Sequence, residues 1–258
     1  MLNEKETEHA IKLIKDTFQS HLSTSLKLRR VTAPLFVKSG IGLNDGLSGK
    51  EEPVHFVATG IGTRLAKWKR MKLFDMREEP GYGIYTDMNA IRTSETLDEL
   101  HSLYVDQWDW EKVITSSERN IDALYDCVKL IYQALLNTEY LVCEHYPILS
   151  PFLPKAIHFI TSEELLQRYP NQTAKERENS ICKEYGAVFI CGIGGKLSNG
   201  EVHDFRAPDY DDWTTPAPTS HNPAHCGMNG DILIWYEPLQ KAVELSSMGI
   251  RVDKEALL

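Results

Sequence analysis

The sequence predicts an α+β protein in which a mainly antiparallel sheet is flanked by helices. Segments with apolar residues at helical spacing are interspersed with short apolar, β-branched and aromatic runs that are typical of strands. These predicted strands outnumber the crossover helices that a parallel sheet would need. Because no repeat, low-complexity tract or linker interrupts the 258 residues, we expect a single domain over residues 1–258.

The first half of the chain is predicted to begin with a helix and to continue as short strands and loops. Apolar residues of the helix recur at helical spacing at Ile11, Ile14, Phe18 and Leu22. Gly, Asn and Asp dominate residues 39–53, which we therefore predict to be a loop. The other predicted elements are strands over residues 28–31 and 54–59, a short basic helix over residues 65–74, and extended segments over residues 84–91 and 103–110.

The second half of the chain is predicted to start with a long amphipathic helix from about Ser117. Two shorter helices follow, each preceded by a capping box, formed by Thr161 with Glu164 and by Thr173 with Glu176. Gly186 stands where a glycine would end the second of them. The last third is predicted to form strands over residues 187–193, 231–236 and 242–246, with a hairpin turn at residues 199–200.

Composition and charge exclude several functional classes. The formal net charge of −9 gives no general attraction to nucleic acid. No run of about 18 apolar residues could form a membrane-spanning helix, and the polar N-terminus resembles neither a signal peptide nor a transit peptide. Five cysteines without a Cys-x-x-Cys pair indicate free thiols in a reducing compartment. We therefore expect a cytoplasmic protein with neither a membrane nor a nucleic-acid partner.

Three segments resemble common binding motifs but lack a required part. The glycines of residues 192–198 suggest a phosphate-binding loop, but Ile190 and Leu197 stand where that loop needs Gly and Ser or Thr. Residues 60–62 lack the third glycine of a dinucleotide-binding fingerprint, so both segments are interpreted as tight turns. Residues 221–226 hold two His and one Cys that could bind zinc, but no second ligand pair stands at a standard spacing, which favours a solvated loop.

Two segments combine charged or polar groups with tryptophan. Residues 66–70 place three cations around Trp68, which suits either anion contact or a solvated basic helix face. On a strand, Gln107 and Asp109 would share one face, with Trp108 on the other. Polar groups inside an apolar strand must find buried partners or bind something polar. Both interpretations stay open for this strand.

Two further segments are acidic. Residues 206–213 hold three carboxylates within four positions, which repel each other unless a cation or an ammonium group lies among them; the alternative is an exposed acidic loop. Asp231 and Glu244, on neighbouring predicted strands, could hold Mg²⁺ against phosphates or pair with Arg251. Without a phosphate-binding loop, these features favour nucleotide handling on an antiparallel sheet, with Arg contacting the phosphates and carboxylates holding Mg²⁺.

Seven segments, in order along the chain, resemble the ammonia-dependent asparagine synthetase (aspartate–ammonia ligase) family. They are residues 45–49, 65–70, 104–111, 151–154, 192–198, 206–213 and 244–252. The resemblance implies a fold like the catalytic core of class II aminoacyl-tRNA synthetases, nearest the aspartyl and asparaginyl enzymes. It implies a homodimer with the first helix and the strand ending at Pro34 at the interface. It also implies that L-aspartate attacks the α-phosphorus of Mg-ATP, and that ammonia then displaces AMP from the β-aspartyl adenylate to give L-asparagine.

The resemblance further implies roles for individual residues. Arg92 corresponds to the class II motif-two arginine, which stabilises charge on the α-phosphate. The implied Mg²⁺ ligands are Asp231 and Glu244. The implied ATP contacts are Ser102, Arg206 and Arg251, and the implied contacts with the α-groups of aspartate are Lys69, Gln107 and Ser247. The residues implied to lie around the amide end of the substrate are Asp45, Asp109 and Asp211. There they would attract ammonium and accept its proton.

One part of the family pattern is missing from the sequence. Family members continue past the position of Leu258 with a Gly-rich segment that carries the class II motif-three arginine, so we expect a catalytic domain truncated at its C-terminus. Two alternatives to an active ligase stay open: a non-catalytic aspartate- or asparagine-binding remnant without that arginine, and a tRNA-linked synthetase paralogue. The net charge of −9 and the lack of an anticodon-binding domain argue against the paralogue.

Overall fold

The structure, a computed structural model, describes residues 2–34, 37–38, 55–56, 61–62, 66–91, 96–206 and 211–252. The chain divides into two compact units, residues 19–116, called here the N-terminal unit, and residues 1–18 with 117–258, called the C-terminal unit. Each is described by itself, and the expectation of a single domain stays a prediction. The predicted loop over residues 39–53 and the candidate residues Asp45 and Arg92 lie outside the described residues.

The N-terminal unit contains a three-stranded sheet. The elements up to residue 116 are α1 (Glu4–Leu26), β1 (Leu28–Arg30), β2 (Val37–Lys38), β3 (His55–Phe56), β4 (Ile61–Gly62), α2 (Ala66–Met76), β5 (Gly83–Ile91) and β6 (Tyr104–Lys112). Strand β5 lies between β1, to which it is parallel, and β6, to which it is antiparallel. The two-residue strands β2, β4 and β3 form a separate antiparallel sheet in that order.

The C-terminal unit contains a four-stranded sheet. After a 3₁₀ turn at Ser116–Glu118, its elements are α3 (Ile121–His145), β7 (His158–Thr161), α4 (Ser162–Arg168), α5 (Ala174–Tyr185), β8 (Ala187–Cys191), β9 (Asn229–Tyr236), a 3₁₀ turn at Glu237–Leu239, and β10 (Lys241–Gly249). The strand order is β10-β9-β8-β7. Strands β7 and β8 are parallel, whereas β8, β9 and β10 pair antiparallel.

A buried apolar cluster joins α4 and α5 to this sheet. It includes Leu165 of α4, Ile181 of α5, Val188 and Ile190 of β8, and Leu233 of β9. Strand β8 is buried along its whole length, as its continuous apolar sequence Ala-Val-Phe-Ile-Cys requires. Burial of this apolar surface is the main term that stabilises the sheet from which the polar residues of β9 and β10 project.

The helix ends follow the predicted signals closely. Both capping boxes are present, formed by Thr161 with Glu164 at α4 and by Thr173 with Glu176 at α5. Gly186 ends α5 with φ of 78°, a left-handed conformation that favours glycine. Helix α3 begins at Ile121 instead of near Ser117, because the side chain of Asn120 accepts a hydrogen bond from the N–H of Ala123 and caps the helix there.

The predicted α+β class with mainly antiparallel pairing is confirmed, with two parallel pairs among the described strands. These are β1 with β5 and β7 with β8. Strand β7 was not predicted, because its four residues are too few to produce a periodic pattern. A parallel pairing of two strands separated by α4 and α5 is likewise invisible to periodicity alone.

Candidate active site

Four charged side chains of alternating sign form a connected series in the C-terminal unit. The guanidinium of Arg206 is paired with the carboxylate of Asp231, and its Nε lies 3.9 Å from Asp211 Oδ2. On the other side of Asp211, Arg251 Nη1 donates a hydrogen bond of 3.1 Å to Oδ1. All four residues were candidate site residues in the sequence, and the structure brings them together.

Backbone pairing positions this series. Asp231 lies on β9 opposite Ser247 of β10, whose hydroxyl hydrogen-bonds to the Asp231 carboxylate. Asp211 and Arg251 face each other in an isolated antiparallel bridge just beyond the end of β10. The carboxylates at positions 211 and 231 are therefore held by two neighbouring stretches of paired backbone.

A β-bulge in β10 brings Glu244 onto the same face of the sheet. The register shifts between Glu244 and Ser246, so that Glu244 lies opposite Leu233 and Ser247 opposite Asp231. Because Leu233 and Asp231 are two residues apart on β9, their side chains share one face. The extra residue in the bulge thus lets Glu244 and Ser247, three positions apart, both lie beside Asp231.

The carboxylates of Asp231 and Glu244 repel each other. The side chain of Glu244 is accessible to solvent although it is closely surrounded by protein, and this partial burial, together with the charge of Asp231, raises its pKa to about 7. Burial also raises the pKa of Asp231, against the opposing effect of Arg206. A divalent cation would relieve this repulsion with the hard oxygen ligands it prefers, so the two residues fit the predicted Mg²⁺ site.

Burial and neighbouring charges also shift the pKa values of Asp211 and Arg206. Burial raises the pKa of Asp211, although Arg251 and Arg206 both favour its charged form. Burial alone would lower the pKa of Arg206, but Asp231 and Asp211 raise it above its ordinary value. Arg206 is therefore held as a largely buried cation between two carboxylates.

Three polar side chains near this site, those of Lys175, Glu178 and His203, were not predicted from the sequence. Glu178 on α5 accepts a hydrogen bond of 2.7 Å from Lys175 Nζ, and its Oε1 lies 3.2 Å from Nε2 of the buried His203. A signal was present, because Glu178 precedes Ile181 and Cys182 by three and four residues and so lies on the buried face of α5. A carboxylate on such a face needs a charged or hydrogen-bonding partner.

The N-terminal unit holds a different part of the predicted set. Lys69 on α2 is fully buried and forms an ion pair with Asp109 of β6. Asp109 is opposite Thr86 in the β5–β6 pairing, and the Thr86 hydroxyl donates to its backbone oxygen at 3.3 Å. Asp109, on the polar face of β6, therefore has a buried partner in Lys69, which is one of the two interpretations that the sequence left open.

The remaining described candidates lie on or beside β6. Gln107 is half-buried and faces the position of Met88 across the β5–β6 pairing. Ser102 is exposed just before the strand, where its hydroxyl accepts a hydrogen bond of 3.3 Å from the N–H of Tyr104. The candidate residues thus fall into two groups, with Lys69, Ser102, Gln107 and Asp109 in the N-terminal unit and Arg206, Asp211, Asp231, Glu244, Ser247 and Arg251 in the C-terminal unit.

The interpretation of residues 221–226 as a solvated loop is only partly correct. His225 is buried, and its Nε2 lies 3.0 Å from the carbonyl oxygen of Gly227. Burial lowers the pKa of His225, which favours the neutral ring, whereas Cys226 is exposed. Within the described ranges, no group of three or more His, Cys, Asp or Glu side chains is arranged to hold a metal ion.

Two expectations from composition can be compared with the structure. All five cysteines have free thiols, as predicted. None of the helices in the described part of the chain is long and apolar enough to cross a membrane.

Comparison with known proteins gives a consistent family assignment. The sequence profile of the family described as aspartate–ammonia ligase matches residues 5–258. The chain is 58% identical to an aspartate–ammonia ligase of Parabacteroides distasonis, with all of this chain and 76% of that protein covered. It is 53% identical to an aspartate–ammonia ligase of Clostridium perfringens, with all of this chain and 75% of that protein covered.

Solved structures with a similar fold are asparaginyl- and aspartyl-tRNA synthetases. The asparaginyl-tRNA synthetase of Pyrococcus horikoshii, complexed with asparaginyl-adenylate, matches with a TM-score of 0.61 and 13% identity over 96% of this chain and 55% of that one. The aspartyl-tRNA synthetase of Entamoeba histolytica matches with a TM-score of 0.55 and 12% identity over 98% of this chain and 46% of that one. The chain thus spans about half the length of these synthetases, and the likeness confirms the predicted class II synthetase-like fold.

Proposed function

The chain belongs to the aspartate–ammonia ligase family and makes asparagine from aspartate and ammonia in an ATP-dependent reaction, and we propose that the charged residues described above form its catalytic site. The observation that carries this assignment of residues is the series Asp231–Arg206–Asp211–Arg251. It places two cations among carboxylates beside the antiparallel strands β9 and β10, in a sequence without a phosphate-binding loop motif.

In the proposed reaction, the side-chain carboxylate of aspartate attacks the α-phosphorus of ATP. The bond between that phosphorus and the bridging oxygen breaks, so pyrophosphate leaves and β-aspartyl adenylate forms. Ammonia then attacks the acyl carbon, loses a proton, and displaces AMP to leave asparagine. Arg206 and Arg251 stabilise the nucleotide phosphates by charge, and Arg92 and Ser102 are further proposed contacts of ATP.

Mg²⁺ is the proposed cofactor, held by Asp231 and Glu244. The position of Glu244 beside Asp231 on the same face of the sheet supports this assignment, and burial together with the charge of Asp231 raises the pKa of Glu244. Bound there, Mg²⁺ would neutralise charge on the ATP phosphates. Ser247, which lies beside both carboxylates, keeps its proposed role in contacting the α-groups of aspartate.

The residues of the N-terminal unit are proposed to bind aspartate. Lys69, whose ammonium forms an ion pair with Asp109, and Gln107 are proposed to contact the α-groups of aspartate. Asp109, Asp211 and Asp45 are proposed to attract ammonium and accept the proton that it loses. Their negative charges suit a cationic co-substrate better than an anionic one.

The alternative of a non-catalytic binding remnant is not favoured. Relatives that match the whole of this chain at 53% and 58% identity are named as ligases. We further propose that the protein is a cytoplasmic homodimer that binds no nucleic acid. Its net charge of −9 supports the last point, and apolar side chains exposed on α1 support the dimer.

Aspartate-dependent exchange of pyrophosphate into ATP, with Mg²⁺ and without ammonia, tests the proposed activation step. We expect exchange by the unchanged chain and formation of asparagine when ammonium chloride is added. Asp231→Asn should abolish exchange, whereas Asp126→Asn, which removes an exposed aspartate of α3, should leave it unchanged. Absence of exchange by folded protein would refute the proposed activity, and full activity of Asp231→Asn would refute the role of that residue.

A further inference from the structure

One arginine outside the predicted site contacts two separate segments of the C-terminal unit, at residues 212–215 and at Arg251. Arg119 lies between the 3₁₀ turn and α3, and its side chain is 19% exposed. Its Nη2 is paired with the Asp212 carboxylate and also donates to the backbone oxygen of Arg251 at 3.2 Å. Its Nη1 donates to the hydroxyl of Thr215 at 3.3 Å. No sequence motif had pointed to this residue.

Asp212, the ionic partner of Arg119, is fully buried and accepts hydrogen bonds from several neighbouring residues. Its Oδ1 accepts hydrogen bonds of 3.0 Å from the N–H groups of Thr214 and Thr215. Its backbone oxygen accepts from the N–H of Met228 and from the side-chain amide of Asn229, both at 2.9 Å. Burial opposes the charge of Asp212, but these N–H donors, Thr215 and Arg119 lower its pKa, so it is held as an anion.

Two of the residues that Arg119 contacts, Asp212 and Arg251, are adjacent to or part of the proposed site. Asp212 follows Asp211, and the Arg251 carbonyl belongs to the same residue whose side chain donates to Asp211. One guanidinium therefore holds both strands of the Asp211–Arg251 bridge. The planar, five-donor group of arginine can contact both segments at once, whereas the single ammonium of lysine cannot reproduce that geometry.

We propose that Arg119 is a positioning residue of the ligase reaction, which holds Asp211 and Arg251 in register so that they can act on the substrates. The inference rests on the proposed function, because it assigns Arg119 an effect through these two site residues. We expect variants of Arg119 to lose much of their activity while they lose little thermal stability. The reason is that a displacement on the order of 1 Å at a reacting group can lower the rate about a hundredfold.

The test compares Arg119→Lys with Arg168→Lys. Arg168 makes an ion pair with Glu184 at 2.6 Å in the same unit, away from the candidate residues, and serves as the matched control. In Mg²⁺-dependent ATP–pyrophosphate exchange, Arg119→Lys should raise KM for ATP about tenfold and lower kcat, while Arg168→Lys should change both less than about twofold. Thermal unfolding of each variant reports the structural effect separately.

A double-variant cycle distinguishes positioning from general destabilisation. If Arg119 acts through Arg251, then Arg119→Lys should raise KM for ATP little further in a protein that already carries Arg251→Lys. The arginine side chain that Arg119 positions is no longer present in that protein. Wild-type kinetics in Arg119→Lys, or effects of the two changes that simply multiply, would overturn the inference.

A milder substitution tests the same inference if the Arg119→Lys variant does not fold. Thr215→Val removes one hydroxyl partner of Arg119 and should raise KM for ATP in the same direction by a smaller factor, so wild-type kinetics in that variant would also overturn the inference. Lack of exchange by the unchanged chain is a different result, since it refutes the proposed function on which the inference rests.

Discussion

At the scale of single residues, the site combines opposite charges with an unrelieved repulsion. Arg206 lies between Asp231 and Asp211, whereas burial, together with the charge of Asp231, raises the pKa of Glu244 to about 7. A carboxyl with a raised pKa in the folded state binds its proton more tightly there than in the unfolded chain. Its ionisation therefore destabilises the fold as the pH rises from about 4.5 to about 7.

We predict that Glu244→Gln stabilises the protein at pH 8 while it abolishes exchange activity. The gain should be about 1 kcal/mol, a small value because the side chain is accessible to screening water, or roughly 3 °C in Tm. Thermal unfolding at pH 4 and pH 8 measures it, and the gain should vanish at pH 4, where both states are protonated. A variant less stable than wild type at pH 8 would contradict the proposed repulsion.

Mg²⁺ should act on this same pair. We predict that millimolar Mg²⁺ raises the Tm of the wild-type protein, since a ligand that binds only the folded state stabilises it. Glu244→Gln should show a smaller increase, and Glu139→Gln, which alters a carboxylate of α3, should respond as wild type does. Equal increases in all three proteins would argue against Asp231 and Glu244 as the ligands.

At the scale of elements, α5 connects folding to the site. Its capping box at Thr173 and Glu176 begins the helix that carries Lys175, Glu178 and Asn179, and Asn179 accepts a hydrogen bond of 2.7 Å from the N–H of Ala242 on β10. The helix thus contacts the same strand that carries Glu244. Loss of the cap would weaken this support without removing a group from the site.

We predict that Thr173→Ala lowers the free energy of unfolding by about 1 kcal/mol, because it leaves an N–H of the first turn without its side-chain acceptor. Urea unfolding measures the loss. Thr173→Ser keeps the hydroxyl and should retain most of the stability. Equal destabilisation by both substitutions would show that the hydroxyl is not the stabilising group.

The elements differ in how far the sequence could predict them. Capping boxes and the Gly186 stop depend on residues three or four apart, so α4 and α5 were predicted with their correct starts. Strand β7 and its parallel pairing to β8 depend on contacts between residues 30 positions apart, such as His158 and Val188, which no local pattern encodes. The bulge before Ser246 is equally non-local, although it determines where Glu244 lies.

The site shows the same limit. The resemblance to the family identified Arg206, Asp211, Asp231 and Arg251, and the structure places these four together. Arg119 stayed unnoticed because its partner Asp212 is 93 residues away, and no motif surrounds it. A family resemblance identifies the members of a motif but not a residue such as Arg119, whose contacts are made only in the fold.

At the scale of the whole molecule, the proposed homodimer gives a prediction about α1. Ile11 and Ile14 are 46% and 39% exposed on this helix, and a second copy that covered them would bury apolar surface. Sedimentation velocity should show a species of twice the 29.4 kDa chain mass. Ile14→Glu should shift it towards the monomer, while Ile148→Glu, at an exposed isoleucine elsewhere, should not. A monomeric wild-type protein at micromolar concentration would refute the dimer.

The Arg119 contacts also bear on how the protein is synthesised. Arg119 and the carbonyl that it binds at Arg251 are 132 residues apart, so at translation rates of ~5–20 residues per second the second partner follows the first by roughly 7 to 26 seconds. During that interval the growing chain on the ribosome carries an arginine whose final partner does not yet exist. Any stabilisation that depends on the contact between Arg119 and Arg251 is therefore available only late in translation.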